Sequence, residues 1–164
     1  MSPTVSKEST RGDRGVARIV RDFDFPRKTV FRMFTDPKRA AKWFGTPDGM
    51  DPVFFELDPR PGGAIQIHDR EGNGPIHRTS GTVLEVVEPE RFAFKSVTTL
   101  QDGAAPFEAM QTVTLEDLSP GRTRMVVVVK VLSAGSFPGG VEALVEGYAG
   151  GWGGSLDKLQ RQLG

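Results

Sequence analysis

The stretch EGYAGGWGGSLDKL, residues 146–159, constrains the fold more than any other, because it has to be a helix in spite of its glycines. Apolar or aromatic residues stand at Val141, Leu144, Val145, Tyr148, Trp152, Leu156, Leu159 and Leu163, in steps of 3, 1, 3, 4, 4, 3 and 4. That is the spacing of one helical face, and it predicts a helix over 140–163. Yet Gly147, Gly150, Gly151, Gly153 and Gly154 each cost a helix interior roughly 1 kcal/mol relative to alanine. Gly147, Gly151 and Ser155 form an i, i+4, i+8 row directly beside the Tyr148–Trp152–Leu156 stripe. The buried face therefore carries a smooth strip next to a bulky one. Such a strip either packs closely on a sheet or leaves room for a guest beneath the helix. Gly150 and Gly153 point the other way and soften the helix, which suits a movable lid.

The rest of the chain supplies a sheet for this helix to lie on. Residues 1–15 are polar and are expected to be a flexible tail. A single domain is expected over 16–164. Val16 to Phe25 reads as a strand. Pro26 opens a short helix that places Val30, Phe31 and Phe34 on one face. Asp36 caps, and Pro37 opens, a second short helix carrying Ala40, Trp43 and Phe44. Strands follow over 53–57, with Val53, Phe55 and Leu57 on one face, and over 64–68, 76–87, 92–99, 110–118 and 123–132, separated by short turns such as EGNG at 71–74 and Ser119-Pro120-Gly121. Without βαβ alternation after the second helix, the expectation is an antiparallel meander rather than a parallel sheet.

Several function classes are excluded or disfavoured by what the chain lacks. Its 21 basic and 21 acidic residues balance, so nothing draws it to nucleic acid or an anionic membrane. It has no cysteine, hence no disulfide, thiolate metal site or cysteine nucleophile. Its longest purely apolar run, Met125 to Val129, is too short to span a bilayer. No basic-then-apolar leader opens the sequence, and a cytoplasmic location is expected. No nucleophile elbow, dinucleotide fingerprint or phosphate loop is present.

A curved antiparallel sheet around one long helix suits an enclosed, mostly apolar cavity. The residues expected to line it are Trp43, Phe44, Phe55, Ile67, Phe94, Met110, Tyr148 and Trp152, with Gly151 leaving the space. Each of these aromatics would serve equally as core filler. His68 and His77 flank the EGNG turn. With Gly72-Asn73 central they sit opposite each other, and with Asn73-Gly74 central they are diagonal; both registers put them on one face. Ile65 and Ile67 take the other face, which leaves the histidines toward solvent and short of a third metal ligand. Arg78 is expected opposite the histidines, where it would meet a ligand carboxylate or phosphate if that face lined the cavity. Glu108, Glu116, Asp117, Glu142 and Glu146 lie on elements around the cavity, with Glu142 and Glu146 on a solvated helix face. No catalytic residue, metal or cofactor is assigned.

Several motifs, taken in order, carry a resemblance. Phe25-Pro26 with Val30-Phe31 forms a strand-to-helix corner. Thr35-Asp36-Pro37 is followed by Lys42-Trp43-Phe44-Gly45, and Asp58-Pro59-Arg60-Pro61-Gly62-Gly63 comes next. Gly81-Thr82-Val83-Leu84-Glu85-Val86 runs into Glu88-Pro89-Glu90-Arg91-Phe92. Gly121-Arg122-Thr123-Arg124-Met125 and Gly151-Trp152 with Leu156-Asp157-Lys158-Leu159 complete the series. The set resembles the START-like, or SRPBCC, superfamily over roughly residues 16–163. The nearest branch is that related to the activator of the heat-shock-protein-90 ATPase, with Phe44 where that branch has a second tryptophan. The resemblance implies an α+β helix-grip fold: a curved antiparallel sheet wrapped around a long C-terminal helix, with two short helices after the first strand. It implies binding of a small apolar or amphipathic molecule, including lipid binding, in a stress-related setting. Its alternatives are a cyclase or aromatase acting on a polyketide-type substrate, and a chaperone-associated module offering an apolar patch around Trp43 to Met50. A homodimer is an ordinary expectation.

Overall fold

The computed structural model describes residues 4–8 and 15–164. The elements run β1 (Thr4–Glu8), β2 (Val16–Phe23), α1 (Arg27–Thr35), α2 (Pro37–Ala40), β3 (Asp51–Leu57), β4 (Ala64–Arg70), β5 (His77–Val87), β6 (Arg91–Thr99), β7 (Phe107–Ser119), β8 (Arg122–Ser133) and α3 (Gly140–Leu163). The strands form one antiparallel sheet in the order β1-β2-β8-β7-β6-β5-β4-β3. This is the helix-grip arrangement: α3 packs along β2 and β8, while α1, which follows β2 in the chain, lies against β7 and β8 and α2 lies against β3.

Local chemistry accounts for most boundaries. The Asp36 side chain accepts a hydrogen bond from the Lys38 amide at 3.1 Å, and Pro37 occupies the first position of α2. Strict alternation on β2, β7 and β8 sends every second side chain inward. The α3 stripe buries Leu144, Val145, Trp152, Leu156 and Leu159, as its periodicity requires.

Three expectations are corrected. Thr4–Glu8, inside the expected tail, pairs with β2 as an edge strand, Thr4 against Val20 and Glu8 against Val16. Backbone pairing on an open strand edge needs no apolar side chains, so hydrophobicity does not reveal it. The rest of that tail, residues 1–3 and 9–14, lies outside the described residues. Val53 is 45% exposed rather than inward with Phe55 and Leu57, because the pairing of β3 with β4 shifts between Pro52 and Phe54.

The third correction concerns the histidines. The register pairs His68 with Arg78 and Asp69 with His77. The turn does close from Glu71 to Gly74, with Gly72 at φ 56°. Pro75 cannot donate to the ladder, and the connection is one residue longer than a two-residue hairpin, so His68 and His77 fall on opposite faces. His68 and Arg78 share the outer face. His77 and Asp69 share the inner face with Ile65 and Ile67.

Candidate functional site

A cavity of about 290 Å³, partly open to solvent, lies between α3 and the inner face of β4–β7. Sheet register builds its floor in rungs. Ile67, Thr79, Thr98 and Phe107 are successive cross-strand partners, and Asp69 faces His77 one rung further out. Gly147, Gly151 and Ser155 form the roof, as one i, i+4, i+8 row of α3. A Cβ built at Gly151 would meet no described atom within 4 Å, and one at Gly147 would meet only Phe137 Cζ, at 3.7 Å. The smooth strip therefore borders open space. Close packing is reserved for Gly154, whose Cβ would come within 2.9 Å of Pro47 Cβ. Gly150 and Gly153 also have no described atom within 4 Å of a Cβ, and nothing in the structure explains why they are glycines.

The expected lining residues divide into two groups. Ile67, Phe94, Tyr148, Gly151 and Trp152 line the cavity. Trp43 and Phe44 do not: they are buried in an aromatic cluster with Phe34, Phe92 and Phe94, Trp43 standing edge-on to Phe34 at 4.7 Å. The Trp43 indole nitrogen donates to the Met33 carbonyl oxygen at 2.9 Å, which fixes the ring in the core. Phe55 packs edge-on against Phe44 at 6.4 Å, outside the lining. Met110 is turned away, because the inward side chains of β7 are Phe107, Ala109, Gln111 and Val113. With Trp43, Phe44 and Thr46 buried, the apolar patch expected over 43–50 is absent from the surface.

Polar groups inside the cavity were less visible from the sequence. Trp152 Nε1 donates to Gln111 Oε1 at 2.8 Å, and Gln111 Nε2 donates to Ser96 Oγ at 2.9 Å. Thr79 and Thr98 hydroxyls share a hydrogen bond of 2.9 Å. Tyr148 Oη is buried without a hydrogen-bond partner among the described residues; the hydroxyls of Ser96 and Thr98 are its polar neighbours. Burial pushes the Tyr148 phenol up to about 12. Asp69 is 7% exposed, and burial raises its carboxyl above the usual carboxylate range, against the opposing pull of His77 and Lys158. His77 Nδ1 stands 3.7 Å from Asp69 Oδ1.

Asp69 was legible in principle, since it continues the Ile65–Ile67 alternation onto the core face. Gln111 and the threonines carry no such signal, because polar residues on a strand normally mark its outer face. Glu142 and Glu146 are exposed, Glu108 approaches Lys95 at 3.8 Å and Asp117 meets Arg27 at 3.0 Å. Glu116 is exposed as well, so none of the five enters the cavity. Arg78 points outward toward Asp102, at 3.5 Å. Among the described residues no group of three His, Cys, Asp or Glu side chains could hold a metal ion, and no helix is long and apolar enough to cross a membrane.

Comparison with known proteins places this geometry. The profile of the family described as activator of Hsp90 ATPase homolog 1-like protein matches residues 24–164. A Chromobacterium violaceum protein of known structure is 29% identical, covering 90% of this chain and 96% of its own, with a TM-score of 0.73. A Rhodobacter sphaeroides protein, at 17% identity and a TM-score of 0.76, covers 99% and 98%. A Mycobacterium smegmatis protein, also at 17% identity and a TM-score of 0.76, covers 98% of each chain. At that identity the last two show the fold alone. The search of curated proteins gives no match.

Proposed function

The chain belongs to the activator of Hsp90 ATPase homolog 1-like family, of the START-like helix-grip type, and from that premise we propose that it binds a small apolar or amphipathic molecule in the cavity beneath α3. The observation that carries this reading is the open space under Gly151, in a helix that would be more stable with alanine there. A cavity of about 290 Å³ is near the lower end of small-molecule sites, and its walls combine Phe94, Phe107, Leu144 and Trp152 with a few convergent polar groups.

Native mass spectrometry of the purified protein tests the proposal. A co-purifying guest, or uptake from a panel of medium-chain amphiphiles, is the expected result. Gly151→Leu should abolish uptake while the chain stays folded, because the added side chain enters empty space. A folded Gly151→Leu variant that binds as the original does would overturn the assignment of the site.

A second reading, a cyclase- or aromatase-type enzyme, draws support from one observation: Asp69, His77 and Tyr148, all capable of proton transfer, line the same cavity. Mass-spectrometric assay of polyketide-type substrates tests it. Turnover lost in Tyr148→Phe supports it, and binding without turnover discards it.

A further inference from the structure

The cavity has a charged end, and that end is incompletely satisfied. Asp69 lies on the inner face of β4, two residues beyond Ile67, and lines the cavity. It is 7% exposed, and no hydrogen bond reaches its carboxyl group among the described residues. His77 Nδ1, its nearest charged or chargeable neighbour, stands at 3.7 Å, too far for a hydrogen bond. Lys158 acts on Asp69 through space, and one of its N–H groups donates to the Thr46 carbonyl oxygen at 2.9 Å. A mostly buried carboxylate with no protein donor keeps only the water that enters through the cavity mouth, and native proteins usually give such a group a partner. An acceptor-only group in this state has room for a donor supplied from inside the cavity.

The chemistry of that donor follows. A carboxylate-bearing guest would bring a like charge against Asp69. A hydroxyl would supply one neutral hydrogen bond. An ammonium supplies three N–H groups and a charge-assisted bond, the stronger kind. Resting on the reading of this cavity as a ligand site, we propose that Asp69 recognises a protonated amine, and that the guest is an apolar molecule carrying an amino group at one end. The ammonium sits at the Asp69–His77 rung and the apolar body runs inward past Ile67 and Phe94 toward Trp152. His77 lines the cavity beside Asp69, with its Nδ1 3.7 Å from Asp69 Oδ1.

Isothermal titration calorimetry with octylamine, 1-octanol and octanoate tests this. In the unmodified protein octylamine should bind about tenfold more tightly than 1-octanol, with octanoate weakest. In Asp69→Asn, octylamine should lose its advantage over 1-octanol while both still bind, which shows that the cavity is intact. Octanoate equal to octylamine, or an amine preference that survives Asp69→Asn, overturns the proposal and leaves the cavity reading in place. Failure of all three probes to bind overturns both. The order of affinities in the unmodified chain stands as a test even if the variant does not fold.

Discussion

The glycines of α3 give a quantitative handle on the space beneath the helix. Gly150, Gly151 and Gly153 are in the helix interior, none has positive φ, and a Cβ at each would meet no described atom within 4 Å. Replacing any one with alanine should therefore recover the helix-propensity difference, about 0.8–1 kcal/mol, with nothing set against it. For a chain of 164 residues each such gain corresponds to roughly 2–4 °C in Tm. The triple variant should gain about 3 kcal/mol, if the sites add. Gly154→Ala is the internal control. Its Cβ would come within 2.9 Å of Pro47 Cβ and 3.5 Å of Pro47 Cα, so the propensity gain is offset by displacing the Pro47 segment, and no net stabilisation is expected. Calorimetry together with urea unfolding at constant m reads these differences. The decisive comparison is Gly151→Ala against Gly150→Ala and Gly153→Ala. If Gly151→Ala destabilises while the outward pair stabilises, the helix rests on the sheet at that point in solution and the cavity argument fails. If Gly154→Ala stabilises as much as the others, Pro47 is not seated against α3.

Three further outcomes follow from buried polar groups. Asp69→Asn should raise stability at neutral pH. The folded-state pKa of Asp69 lies above its ordinary value of 3.8, so its ionised form destabilises the native state as pH rises, and the gain should vanish as pH falls below 3.8; a pH-independent gain refutes the electrostatic cause. Tyr148 is the only tyrosine, so phenolate absorbance titrates it alone: the native midpoint should lie near pH 12, and stability should fall as pH rises from 10 to 12 because the unfolded chain releases that proton earlier. A native midpoint at 10 would mean that the ring is solvated. Arg21 is buried on β2, holds Asp157 at 2.8 Å through Nη2, and leaves Nε and Nη1 without partners among the described residues. Chemical denaturation should show Asp157→Ala destabilising by about 3 kcal/mol or more, and Arg21→Met costing much less; equal losses would show that the pair itself, rather than the stranded charge, matters.

Sequence periodicity carried much of the fold. The α3 stripe, the alternation on β2, β7 and β8, and the Asp36-Pro37 cap are local patterns, and each defines which face of its own element is apolar. The ordered motifs from Phe25 to Leu159 placed those elements in a known arrangement. The site was legible only where it depended on a single element: the Gly147–Gly151–Ser155 row beside Tyr148 and Trp152 lies on one helix, so its geometry follows from 3.6 residues per turn.

Everything that depended on two elements at once was decided by the tertiary structure. One extra residue around Pro75 moved His77 to the cavity side with Asp69 and left His68 and Arg78 outside, because a strand's faces alternate with a period of two. Which aromatics are core and which are lining was equally beyond the sequence. Trp43 and Phe44, expected on the second short helix, lie in the turn that follows α2, and only the three-dimensional fit of that turn with β6 and α3 separates them from Phe94 and Trp152. A face is a property of nearest neighbours in the chain. A cavity is the volume left over when faces from distant segments meet, and no local pattern contains that difference.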